Sequence, residues 1–87
     1  MRELFVTGQF KKDLSKVPDF VRDETDLIAR KLRVDPIDKK LGVKKLIQIT
    51  PSVWRVRIGS YRLIYIFDKD SINLFRIRHR KDVYRNL

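Results

Sequence analysis

Hydrophobic and polar positions change period along the chain, and the changes mark out its elements. "RELFVT" at residues 2–7 reads as a short first strand. Thr7 is placed to cap a helix running through Lys16, with Phe10, Leu14 and Val17 on one apolar stripe. Pro18 suits the first turn of a second helix. Asp19, Asp23, Glu24 and Asp26 lie toward its start and Arg30, Lys31 and Arg33 toward its end, matching the helix dipole. Its predicted buried face is Val21, Leu27, Ile28 and Leu32, and Asp35-Pro36 ends it, because a proline ring disfavours helical backbone in the preceding residue. From residue 37 to about residue 52 the pattern is weak, and "KKLGVKKL" reads equally as loop or strand start.

Beyond that point the period is two. "VWRVRI", "YRLIYIF" and "INLFRIR" are three strands, separated by Gly59-Ser60 and by "DKDS". The tail "HRKDVYRNL" reads as irregular or briefly helical. The order β-α-α-β-β-β predicts one α+β domain over residues 1–87, with a helical hairpin on one face of a small, mainly antiparallel sheet.

A two-residue turn at Gly59-Ser60 also fixes which side chains are neighbours. Ile58 then opposes Tyr61, Arg57 opposes Arg62 and Arg55 opposes Ile64. Trp54, Val56, Ile58, Tyr61, Leu63 and Tyr65 share the face that packs on the helices. The other face carries Arg55, Arg57 and Arg62, with Ile64 and Ile66 beside them. Like charges directly opposed across a strand pair are unfavourable, so a bound anion is a natural offset. The alternative is a solvated fan of arginines, or arginines paired with Asp68 and Asp82.

Charge strengthens the anion reading. The chain has 21 Lys and Arg against 11 Asp and Glu, a formal net charge of +10. Residues 54–85 hold nine cations against three acids, mostly as arginine, which makes forked contacts to phosphate. The third strand ends at Arg78 and leads His79, Arg80, Lys81 and Tyr84 toward the same edge. A helical turn at 80–84 would put Arg80 and Tyr84 on one side.

Other chemistries lack their residues. There is no cysteine and one histidine, and the acids lie mostly in the first half, so no metal site or other cofactor is expected. No apolar run approaches the roughly 20 residues of a membrane span, and a soluble cytoplasmic protein is expected. A cationic pocket suits a phosphodiester whose nucleophile comes from the substrate, as the 2′-hydroxyl of RNA does. That predicts a metal-free endoribonuclease giving a cyclic phosphate and a free 5′-hydroxyl. A nucleic-acid-binding module without catalysis would use the same charges.

"WRVRIGSYRLIYIFD" followed by "RIRHRKDVYR" resembles the RelE/ParE superfamily, the toxins of type II toxin–antitoxin systems, and "FKKDLSKVP" before a helix ending in "DP" is similar to its helical hairpin. For the RelE branch the resemblance implies an mRNA interferase that cuts mRNA in the ribosomal A site and so inhibits translation. It also implies a small antitoxin that wraps the toxin with an extended or helical segment, which the positive field here would favour if acidic. By that analogy Arg62 and Arg80 stabilise the transition-state phosphate, Arg55 and Arg57 bind the backbone, and Tyr84 stacks on or orients the RNA, with Arg78, His79 and Lys81 as further RNA contacts. Arg57 stands where RelE toxins carry a lysine as candidate general base, and a guanidinium is a poor base. Either another group, His79 or Tyr84, then removes the 2′-hydroxyl proton, or activity is low. The ParE branch, which poisons DNA gyrase without that basic constellation, is the alternative on the same fold.

Overall fold

A computed structural model of the chain describes residues 1–46 and 52–82. The elements are β1 (Glu3–Val6), α1 (Gly8–Leu14), α2 (Asp19–Val34), a 3₁₀ turn at Lys39–Leu41, β2 (Lys44–Leu46), β3 (Val53–Ile58), β4 (Tyr61–Phe67) and β5 (Ser71–His79). They form a five-stranded sheet in the order β1-β5-β4-β3-β2, antiparallel except for the parallel pair β1 and β5.

The α+β architecture expected from the sequence holds, with one strand more than predicted. β2 lies in the stretch with the weakest pattern. Gly42, at a φ of +69°, turns the chain out of the 3₁₀ turn, and β2 then pairs with β3 along the sheet edge.

Thr7 caps α1 as expected: its hydroxyl oxygen accepts the Phe10 N–H at 2.9 Å. Pro18 sits one position before α2, at its N-cap, and Asp35 closes that helix in extended conformation ahead of Pro36. The buried side of α2 is Val21, Thr25, Ile28, Ala29 and Leu32. Leu27, predicted on that side, is instead 50% exposed. It stands about 120° around the helix from Val21, off the buried stripe, and the small side chains of Thr25 and Ala29 let the helix approach the sheet instead.

Both helices cover one face of the sheet. Phe10, Val17, Val21, Ile28 and Leu32 pack with Val56, Ile58, Leu63, Tyr65, Ile72, Leu74 and Ile77, with Trp54 and Tyr61 partly buried at the margin. Tyr65 is fully buried, and its hydroxyl donates to the Pro36 carbonyl. Burial, with the Asp35 charge adding to it, pushes that phenol far above the ordinary tyrosine range. On the other face a smaller cluster joins buried Val53 and Ile64 to Leu46, Ile66 and Phe75.

β5 contains an irregularity that its sequence shows only as the adjacent apolar pair Leu74-Phe75. Ile64 opposes Arg76 but Tyr65 opposes Leu74, so Phe75 is an extra residue, a β-bulge. The bulge keeps Ile72, Leu74 and Ile77 all on the core side although 74 and 77 are an odd number of residues apart. Polar groups around it find partners on the β1–α1 segment. The Thr7 hydroxyl donates to the Phe75 carbonyl at 2.9 Å, and the Asp13 carboxylate accepts the Ile77 N–H at 3.2 Å. Asp13 also takes the Arg76 guanidinium in a fork, 2.7 Å from Nε to Oδ2 and 3.3 Å from Nη2 to Oδ1.

Burial by itself pushes the Asp13 carboxyl up. The hydrogen bonds from Arg76, Gln9 and the Ile77 N–H, with the Arg76 charge, outweigh it and hold the carboxyl below its ordinary value. A depressed folded value means that the contribution is complete above the unfolded carboxyl's pKa of about 4 and is lost as pH falls through the lower folded value. Replacing Asp13 by Ala should therefore cost about 3 kcal/mol at neutral pH, since it strands a largely buried guanidinium. The deficit relative to the parent chain should shrink below pH 4. Denaturant titrations across that range measure both.

Candidate nucleic-acid interface

Gly59 makes the site possible. Its φ of +61° lets a two-residue turn join β3 to β4, and Ile58 and Tyr61 close it as a pair. The register that follows puts Arg57 opposite Arg62, and β5 carries the row one strand further, because Arg62 opposes Arg78. Three arginines thus stand in line across three neighbouring strands, on the face away from the helices. Adjacent strands are about 5 Å apart, so one phosphodiester laid across the row reaches two guanidiniums at once.

Each member of the row is held differently. Arg57 is exposed, while Arg62 and Arg78 are half-buried. The Arg62 guanidinium folds back over the turn, donating from Nη1 to the carbonyls of Gly59 at 3.3 Å and Tyr61 at 3.0 Å. Arg80 follows β5 into a turn, and its backbone N–H donates to the Ser60 carbonyl at 2.8 Å. That bond ties the start of the tail to the β3–β4 turn and places Arg80 beside the row's end.

Arg55 lies two residues back along β3, between Ile64 of β4 and Lys44 of β2. It is only 7% exposed, so the arginine face is less open than a solvated fan. Lys44 belongs to this cationic face too. The alternation of "VKKL" after Gly42 was its only signal in the sequence.

His79 departs from the group. It pairs with Tyr61 and meets that ring edge-on at 5.6 Å, on the helix side of the sheet. Its Nδ1 accepts the Lys81 N–H at 3.2 Å. In the neutral ring the proton is then on Nε2, so no lone pair remains to take one from a substrate unless the turn opens. Lys81 is exposed in that turn. Tyr84 lies outside the described residues.

Asp68 and Asp82, the two acids near enough in sequence to neutralise the row, are held in different ways. Asp68 turns inward to its own hairpin, where its Oδ1 accepts the N–H groups of Asp70 and Ser71 at 2.8 Å each. Asp82 closes the turn after β5 through its N–H to the His79 carbonyl at 2.8 Å. Arg76 of β5 binds the Asp13 carboxylate and lies outside the predicted site. No cluster of three or more His, Cys, Asp or Glu side chains is found among the described residues.

The same chain pattern and fold occur in known proteins. Residues 4–84 match the sequence model of a family described as the ParE toxin of type II toxin–antitoxin systems, parDE. The chain belongs to that family. It is also similar to Toxin RelE3 of Methanocaldococcus jannaschii, 35% identical over 86 residues that span 97% of this chain and 96% of that protein. Among solved structures, the toxin in the RelB–RelE antitoxin–toxin complex from Methanococcus jannaschii superposes with a TM-score of 0.79 at 29% identity, covering 95% of this chain and 98% of that one. The archaeal RelE–RelB complex from Pyrococcus horikoshii OT3 shares the fold, with a TM-score of 0.78 at 24% identity over 91% of this chain and 94% of that one. The chain is thus a RelE-like toxin of a type II toxin–antitoxin system.

Arg57 and Arg62 of this toxin are like charges directly opposed across β3 and β4, a pairing that is unfavourable in itself. Replacing Arg57 by Ala should leave stability unchanged or raise it by about 0.5 kcal/mol, with a larger gain at low salt. Thermal melts at two ionic strengths test this, and a clear loss of stability would show that the row is neutralised internally.

Proposed function

We propose that this toxin is a metal-free endoribonuclease, an mRNA interferase, that cleaves mRNA on the ribosome, in the A site, and so inhibits translation in the cytoplasm. The observation that carries the reading is the line Arg57–Arg62–Arg78 with Arg80 beside its end. Such a line is complementary to a phosphodiester. The RNA 2′-oxygen attacks the adjacent phosphorus as it loses its proton, the bond to the 5′-oxygen breaks, and that oxygen takes a proton from solvent, leaving a cyclic phosphate and a free 5′-hydroxyl. Arg62 and Arg80 neutralise charge growing on the phosphate oxygens, and Arg57 and Arg78 hold the flanking backbone. Arg55 and Lys81 extend the positive track, and Tyr84 stacks on or orients the RNA.

Removal of the 2′-hydroxyl proton is the demanding step. Arg57 is no base, and His79 has its available lone pair engaged by Lys81. Within the described residues the proton therefore goes to solvent, and cleavage should rise in proportion to hydroxide concentration between pH 6.5 and 8.5. A plateau near neutrality would instead assign a side-chain base, with Tyr84 the first to replace.

An antitoxin completes the system in the cell. The solved relatives from Methanococcus jannaschii and Pyrococcus horikoshii are complexes with RelB partners, and an acidic segment suits a toxin of net charge +10. A translation extract supplied with the toxin tests the activity. Message fragments should appear with 5′-hydroxyl ends, and Arg62→Ala or Arg80→Ala should slow their formation on the order of a hundredfold or more. Intact message, together with trapped DNA–gyrase complexes, would replace this reading with the gyrase-directed one that the ParE name of the family suggests.

A further inference from the structure

The outer face of α2 has no role in the arginine site and an unusual composition for this chain. Phe20, Leu27 and Val34 are 66%, 50% and 67% exposed and recur every seven residues, so they form one apolar stripe along the helix. The charges beside it are balanced. α2 carries four acids (Asp19, Asp23, Glu24, Asp26) and four bases (Arg22, Arg30, Lys31, Arg33) in a chain of net charge +10. It is thus a surface on which two copies of a strongly basic protein can meet without the general repulsion between them.

We propose that α2 pairs antiparallel with α2 of a second copy of this chain, forming a two-fold symmetric dimer centred on Leu27. The sequence is arranged symmetrically about that residue. With Leu27 on the two-fold axis, Phe20 of one protomer lies level with Val34 of its partner. Glu24 lies within one residue's rise of Lys31 of the partner subunit on one flank of the stripe, and Asp23 within one residue's rise of Arg30 of the partner subunit on the other.

Both flanks therefore bring opposite charges together, twice each by symmetry. A parallel pairing would set Glu24 against Asp23 of the partner subunit and Lys31 against Arg30 of the partner subunit, so the charges select the antiparallel arrangement. Within one protomer Arg30 reaches Asp26 at 2.9 Å, but both side chains are well exposed and the pair can share Arg30 with the incoming carboxylate. Three apolar side chains per helix make a small interface, so the dimer is weak and concentration-dependent.

Sedimentation velocity on the full chain, from low to high micromolar concentration, tests the inference. The expected result is a shift from the 10.5 kDa chain mass toward twice that value. Leu27→Glu, which would put two carboxylates on the axis, should weaken the apparent dimer about tenfold or more, with the circular dichroism melt unchanged because Leu27 is exposed. Glu24→Lys and Lys31→Glu should each weaken it, and the double exchange should restore it, since the swapped charges again meet their opposites. A monomer at every concentration overturns the proposal, including the case in which the stripe is covered only by an antitoxin. So does a dimer indifferent to Leu27→Glu and to the charge exchange. None of these readouts depends on ribonuclease activity.

Discussion

One extra residue in β5 decides what this sheet presents to solvent. Side chains alternate along a strand with a period of two, and Phe75 breaks the count. Leu74 and Ile77 can both face the helices, and Arg78 faces away from them, opposite Arg62. Without the insertion, either Ile77 would leave the core or the arginine row would lose its third member. A bulge disrupts the hydrogen-bond ladder, and here the neighbouring polar groups are taken up by side chains from the preceding helical segment. Thr7 binds the Phe75 carbonyl, and Asp13 binds the Ile77 N–H together with the Arg76 guanidinium. The anchor of α1 on the sheet and the placement of Arg78 are therefore one arrangement.

This division of labour among arginines follows from what each one faces. Arg76 beside the bulge finds a carboxylate and becomes part of the framework. Arg57, Arg62 and Arg78 stand in register across three strands, and the Arg62 guanidinium is steadied by the carbonyls of its own turn. Arg55 is intermediate, walled by strands on both sides and largely withdrawn from solvent.

Much of this was legible in the sequence where a rule of fixed period applied. The Gly59-Ser60 turn gave the β3–β4 register residue by residue, and Thr7 announced the start of α1. Elsewhere apolarity misled where period did not. Leu27 is apolar but lies about 120° around α2 from Val21, while Thr25 and Ala29, not obvious core residues, complete the interface with the sheet. β2 is three residues long and has too few alternations to stand out. His79 follows from the same count of two: it is adjacent to Arg78 and so must point to the other face, where it meets Tyr61. The bulge left only the Leu74-Phe75 pair as a trace, and adjacent apolar residues are just as common in regular strands buried on both faces.

The coupling of α1 to β5 has a genetic consequence. Selection for survivors of this toxin's expression would collect lesions far from any charge that touches a phosphate. Changes at Thr7 or Asp13 remove hydrogen bonds that support the insertion and with it the strand that carries Arg78. Inactivating alleles should therefore map to two separate patches, one among the strand cations and one on the first helical turns, joined through Phe75, Arg76 and Ile77.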